Sequence, residues 1–261
     1  MTAKTGFDAD GVRFYFRAAL VMAACIVAGF GAQALRFGVP GAGAVFVHLH
    51  AFFFMGWVAI FVLQSWLGTR SVTATNGRYR ARHRLLGTLA VFWVLAMLPL
   101  GILVTTHVIQ RGVTPFFFQP QYFLFANPLS VIAFAILVAL ALANRRNRAA
   151  HMRLQYMAMA SLLGPAFGRL LPMPLLAPYA WDAAQASGLA FLLIGMVRDY
   201  RQAGRVHGAW WWGLACILLP IFLAHLLAAS PLGDALYAWV VAGQPAEHIA
   251  GMALGAPPAI P

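Results

Sequence analysis

Residues 44–68 read AVFVHLHAFFFMGWVAIFVLQSWLG, a run without a single Asp, Glu, Lys or Arg. A helix rises about 1.5 Å per residue, so this run is long enough to cross the ~30 Å hydrocarbon core of a bilayer. Stretches of the same kind recur at Ala18–Leu35, Leu85–Val108, Gln121–Ala143, Leu154–Leu171, Tyr179–Val197 and Ala209–Ser230. With Ala44–Gly68 they predict an all-α, polytopic membrane helix bundle of seven transmembrane helices, organised as one integral-membrane domain over residues 1–261. Composition agrees: 62% hydrophobic residues, 9% charged residues and a mean hydropathy of +0.78 exceed what a soluble domain carries.

The basic residues orient this bundle. Lys4, Arg13 and Arg17 precede the first span; Arg70, Arg78, Arg80, Arg82 and Arg84 separate the second from the third. Arg145, Arg146, Arg148 and Arg153 lie between the fourth and fifth, and Arg198, Arg201 and Arg205 between the sixth and seventh. Short Lys/Arg-rich loops stay in the cytoplasm, so the N-terminus is expected inside and the C-terminus outside, in a multi-pass protein of the bacterial inner membrane. The net charge of +12 is thereby explained by topology and by contact with anionic membrane lipid, without a nucleic-acid partner. The charged N-terminal segment lacks an A-x-A-like site after the first apolar stretch, and no cleavable signal peptide is expected.

Several chemistries are excluded by what the spans lack. A retinal Schiff base needs a buried lysine, and the sole lysine is Lys4. Of six acidic residues only Asp182 lies near a span interior, too few for a carboxylate proton relay. Cys25 and Cys216 show no C-x-x-C spacing, so a zinc ribbon or covalent haem attachment is unsupported. Neither a G-x-S-x-G context nor the H-x-x-x-H clusters of membrane di-iron enzymes occur.

Polar groups inside lipid are costly and usually functional. His50 on the second span, His107 on the third, Arg169 on the fifth, Asp182 on the sixth and His225 on the seventh fall at similar depth in the outer third, with Asn127 and Gln185. Below His50, Phe54, Trp57, Phe61 and Gln64 continue one helical stripe. Imidazoles from two helices can bind haem b axially and three can hold a transition metal, while an arginine pairs with propionates or another anion. This nominates His50, His107, His225 and Arg169 as cofactor-binding residues, and His48, His50 and His107 as a metal set. His48 points about 200° from His50 on a regular helix, so a joint chelate requires an irregular helix start. Pro99, Pro128, Pro165 and Pro220 interrupt four spans and favour an internal cavity, with Trp57, Asn127, Asp182 and Gln185 as its candidate lining. A second possible site, for haem or a head group, pairs His83 with His151 at two arginine-flanked helix starts on the cytoplasmic side.

The motifs V-H-L-H-A (47–51), R-H-R-L-L-G (82–87), A-A-H-M-R-L (149–154), L-L-G-P-A-x-G-R-L (162–170) and G-R-V-H (204–207) occur in an order that resembles an uncharacterised family of bacterial polytopic membrane proteins, over about residues 46–213. The H-R-x-L-G helix start is more loosely similar to cytochrome b561-like proteins, a similarity that implies bound haem b. Two function classes follow. One is a haem- or metal-binding redox protein working with a redox partner; the other is a non-enzymatic carrier or binding protein for a small or lipidic molecule in an outward-facing cavity.

Overall fold

A computed structural model describes residues 9–38, 41, 45–73 and 77–256; Lys4 and Ala44, the first residue of the second predicted span, lie outside them. The described chain is all-α, with nine helices: α1 (Ala9–Phe37), α2 (Val45–Thr73), α3 (Arg78–Gln110), α4 (Pro120–Ala143), α5 (Arg148–Ser161), α6 (Gly164–Leu170), α7 (Ala180–Ala203), α8 (Ala209–Ala228) and α9 (Pro231–Val241). Six of them, α1, α2, α3, α4, α7 and α8, are long and apolar enough to cross a membrane. The fifth predicted span is divided. Pro165 has no N–H to bond the Ser161 carbonyl and its ring would crowd that oxygen, so α5 ends at Ser161 and α6 starts afresh with Pro165 in its first turn. Pro99, Pro128 and Pro220, by contrast, sit within continuous helices.

Short α5 occupies the centre. It packs on α1, α4, α7 and α8, and Tyr156, Met157, Ala158, Met159 and Ala160 are each buried to 1% exposure or less. Protein on every side replaces lipid, which is why this helix tolerates Arg153, Gln155 and Ser161 where an outer helix would be uniformly apolar. Helix association in lipid relies on close packing, and small residues permit it. A side chain at Gly188 of α7 would meet the Ala160 carbonyl at 2.8 Å, and one at Gly29 of α1 would meet the Ala166 carbonyl at 2.5 Å. Together, α5 and α6 accompany α1 over its length, from Tyr15 against Tyr156 to Gly29 against Ala166.

The helix ends follow local chemistry. Asn147 caps α5 by accepting the Ala150 N–H, Ser230 caps α9 by accepting the Gly233 N–H, and Gly204 ends α7 at φ 68°, a left-handed conformation that L side chains rarely adopt. Beyond α8 the chain builds a cap that the span count does not anticipate. Helix α9 packs on α3, α4 and α8, and the tail then bonds to the end of α3 through Ala246 N–H to Gln110 O and to the α3–α4 loop through Gly255 N–H to Phe116 O. Gln121 anchors the cap, donating its side-chain N–H to Ala228 O at 2.8 Å and to Asp234 Oδ1 at 2.7 Å.

Candidate functional site

At the capped end, α4, α7 and α8 bring three side chains together. The Tyr122 hydroxyl donates to Asp182 Oδ1 at 2.9 Å, and His225 Nε2 lies 3.2 Å from Asp182 Oδ2. Tyr122 and His225 also lie ring against ring, with centroids 4.4 Å apart. His225 is 49% exposed and Asp182 26%.

The remaining members of the predicted polar layer are dispersed. Arg169 does not join Asp182: it donates to Gln33 of α1 and to Pro165 O, and its guanidinium stacks 4.0 Å above Phe30. His50 stacks on Phe54 at 4.1 Å, its Nδ1 buried without a partner, with the Leu100 carbonyl beside it and the Arg169 charge within electrostatic reach. His107 faces Phe46, one turn beyond His50, and His48 approaches the Gly41 carbonyl at 3.1 Å. Among the described residues no group of three or more His, Cys, Asp and Glu side chains is placed to hold a metal. The predicted cavity lining is likewise absorbed into packing: Trp57 meets Phe134 edge-on, Asn127 donates to Thr105, and Gln185 donates to Ser130. The cavity that touches Gln185 measures about 10 Å³, space for about one water.

At the arginine-rich end the second predicted pair does meet. His83 of α3 and His151 of α5 have ring centres 6.5 Å apart and planes 83° to one another. Two imidazoles opposed across one ion, each bonded at about 2.0–2.1 Å, have centres about 6 Å apart, a separation close to the one seen here. His151 Nδ1 lies 2.8 Å from the Ala141 carbonyl, which can only accept; Nδ1 therefore carries a proton, and in the neutral ring Nε2 keeps its lone pair. That is the arrangement by which a backbone carbonyl orients a ligating histidine. His83 Nδ1 is buried without a partner, and so is Oε1 of Gln64, whose Nε2 donates to the His83 carbonyl at 3.1 Å. Each orphaned atom costs about 1–3 kcal/mol, and a metal bond at the histidine would remove one such penalty. Two imidazoles without a thiolate are donors of the kind that first-row ions and haem iron take.

Beside this pair lies a network that the sequence reading missed. Arg153 of α5 binds Asp199 of α7 with both contacts at 2.7 Å, and Trp210 Nε1 donates to the same carboxylate at 2.7 Å. Counting Arg153 among loop charges hid it; the available signal was an acid, Asp199, placed within an otherwise basic run from Arg198 to Arg205. His207, in the α7–α8 loop, accepts the Ala209 N–H through Nδ1 and so must be unprotonated there. Burial, then the Arg153 charge, holds its pKa below the ordinary histidine value. The unfolded chain takes up that proton at higher pH than the folded one, so stability is complete above the ordinary value and declines as pH drops through it. His207→Asn retains an acceptor and cannot titrate. Melting curves should show its advantage over the wild type growing from pH 7 to pH 5, and a constant difference would contradict this role.

Comparison with protein-family models, with curated proteins and with solved structures found no match to the chain.

Proposed function

We propose that this chain crosses the bacterial inner membrane seven times, with α5 and α6 together making the fifth crossing, and holds a redox-active transition metal between His83 and His151. The ion is bound bare or as the iron of haem b. The observation that carries this reading is the pair itself: two imidazoles from different helices at 6.5 Å, one oriented by a carbonyl and the other with an orphaned ring nitrogen. A bound centre of this kind supplies one-electron chemistry. The chain's own residues bind and orient it: Ala141 O fixes the His151 ring, and Gln64 ties α2 to the start of α3 at His83. The H-R-x-L-G start of α3 supports the haem form.

Optical spectroscopy and metal analysis of detergent-purified protein test the reading. About one equivalent of copper or iron, or a Soret band, is the expected result; a protein that binds only zinc, or stays colourless and metal-free after loading, would sink it. The Tyr122–Asp182–His225 group, in which His225 is half exposed, favours the alternative, a carrier or binding protein for a small molecule at the opposite end, and that reading would then stand.

The orientation rests on the arginines, with the His83 end in the cytoplasm and the α9 cap outside. Reporter fusions at Arg146 should report a cytoplasmic loop, and fusions after Val241 an external one. A cytoplasmic signal after Val241 would refute the seven-crossing count.

A further inference from the structure

A groove of about 590 Å³ runs along the arginine-rich end of α7, lined by Phe14 of α1 and by Leu193, Ile194, Val197, Arg198 and Arg201 of α7. Its wall is one helical face, since residues 194, 197, 198 and 201 recur at three- and four-residue spacing. The wall changes character along its length. Leu193, Ile194 and Val197 are each about half exposed and present an apolar surface, whereas the last turn carries two guanidiniums. An apolar run ending in fixed positive charge is the profile of an acyl chain leading to a phosphate.

The guanidinium of Arg198 is held in place. It stacks on Phe14 with 4.5 Å from Cζ to the ring centre and lies 5.7 Å from the Tyr15 ring centre. Among the described residues no acceptor takes a hydrogen bond from it, and its Nη2 is buried without a partner. The neighbouring acid offers no neutralisation, because the Asp199 carboxylate is turned toward Arg153 and Trp210. Tyr15, 7% exposed, adds a buried hydroxyl without a partner beside Arg198. A buried guanidinium edge of this kind calls for an anionic acceptor, and arginine binds phosphate oxygens through parallel N–H donors.

We infer that this groove is a binding site for a phospholipid of net negative charge, its phosphate on Arg198 and Arg201 and an acyl chain along Val197, Ile194 and Leu193. The occupant comes from the leaflet at the arginine-rich end, where the helices emerge.

Delipidated full-length protein titrated in detergent with phosphatidylglycerol or phosphatidylcholine, and followed by native mass spectrometry, tests the site. Wild type should bind phosphatidylglycerol more tightly than phosphatidylcholine, and Arg198→Gln and Arg201→Gln should each weaken phosphatidylglycerol about fivefold, the scale of one basic residue at an anionic surface. Ile194→Trp obstructs the groove without altering charge and should weaken binding as well, which keeps the test intact if an arginine variant folds poorly. Arg145→Gln, in a different basic loop, should bind as wild type does. Equal binding of the two lipids, an Arg145→Gln loss as large as the Arg198→Gln loss, or full displacement by excess inorganic phosphate would overturn the inference.

Discussion

Asp199→Ala should lower the stability of the folded bundle by about 3–5 kcal/mol, the scale for removing one partner of a buried ion pair. Arg153 and Asp199 are 9% and 3% exposed, so the arginine left behind has no water to turn to. The substitution also strands Trp210 Nε1, whose 2.7 Å bond ends on the lost carboxylate, and Trp210 itself is fully buried. Four elements are affected together, since the network ties α5 to α7, to the α7–α8 loop through the His207 N–H, and to the first turn of α8. Thermal unfolding in detergent, followed by tryptophan fluorescence, reads the loss. Glu247→Ala supplies the contrast: that carboxylate is exposed and accepts only the Gly243 N–H, so its removal should change stability by no more than about 0.5 kcal/mol. Replacing both charges, Arg153→Met with Asp199→Leu, should recover much of the single-variant loss, because the uncompensated charge is gone. Equal melting of wild type and Asp199→Ala would contradict the assignment of this pair as a structural lock.

Metal affinity should fall at least about 100-fold in His83→Ala and in His151→Ala, while the melting temperature of the metal-free protein changes little in the first variant. A two-imidazole centre has no spare ligand, so loss of either histidine exceeds the 10–100-fold effect typical of an outer partner. His83→Ala also removes an orphaned buried nitrogen, which offsets part of the packing lost with the ring. Gln64→Ala should weaken binding about 10-fold, the response of a side chain that supports a ligand without being one. Competition titration against a chelator of known affinity measures all three. Retention of wild-type affinity by either histidine variant would remove that residue from the site.

Span lengths were the most legible part of the fold. Runs of apolar residues located α2, α3, α4, α7 and α8, because lipid imposes the same requirement on every outward surface. The interior helix escaped that logic. Surrounded by protein, α5 is short and carries Arg153, and Pro165 divides it from α6, so a reading by hydropathy draws one continuous span over residues 154–171. The cap was hidden for a different reason: α9 and the tail are fixed by bonds to the end of α3 and the loop after it, more than a hundred residues earlier, as in Gln110 Nε2 to Val240 O.

For the candidate site, a shared depth in the sequence corresponds to contact for His225 with Asp182 but not for His50 with His107. His225 and Asp182 share a level and do meet; Arg169 shares the level but faces α1, where Gln33 receives it. His50 and His107 occupy adjacent helices yet sit a turn apart, each beside a phenylalanine. The order of helices around the bundle separates Arg169 from Asp182, and that order is set by close contacts such as Gly188 against Ala160, which no one-dimensional pattern encodes. The His83–His151 pair was legible because both residues open helices at the same end, a constraint that leaves little room for divergence.

X-ray absorption at the edge of the metal taken up on loading reads the ligands of the proposed His83–His151 site. The first shell should contain two imidazole nitrogens at about 2.0 Å, with the outer-ring scattering of rigid five-membered rings, and this signature should be lost when His83 and His151 are both replaced by alanine. A shell of oxygen or sulfur alone, or a spectrum unchanged in the double variant, would contradict it.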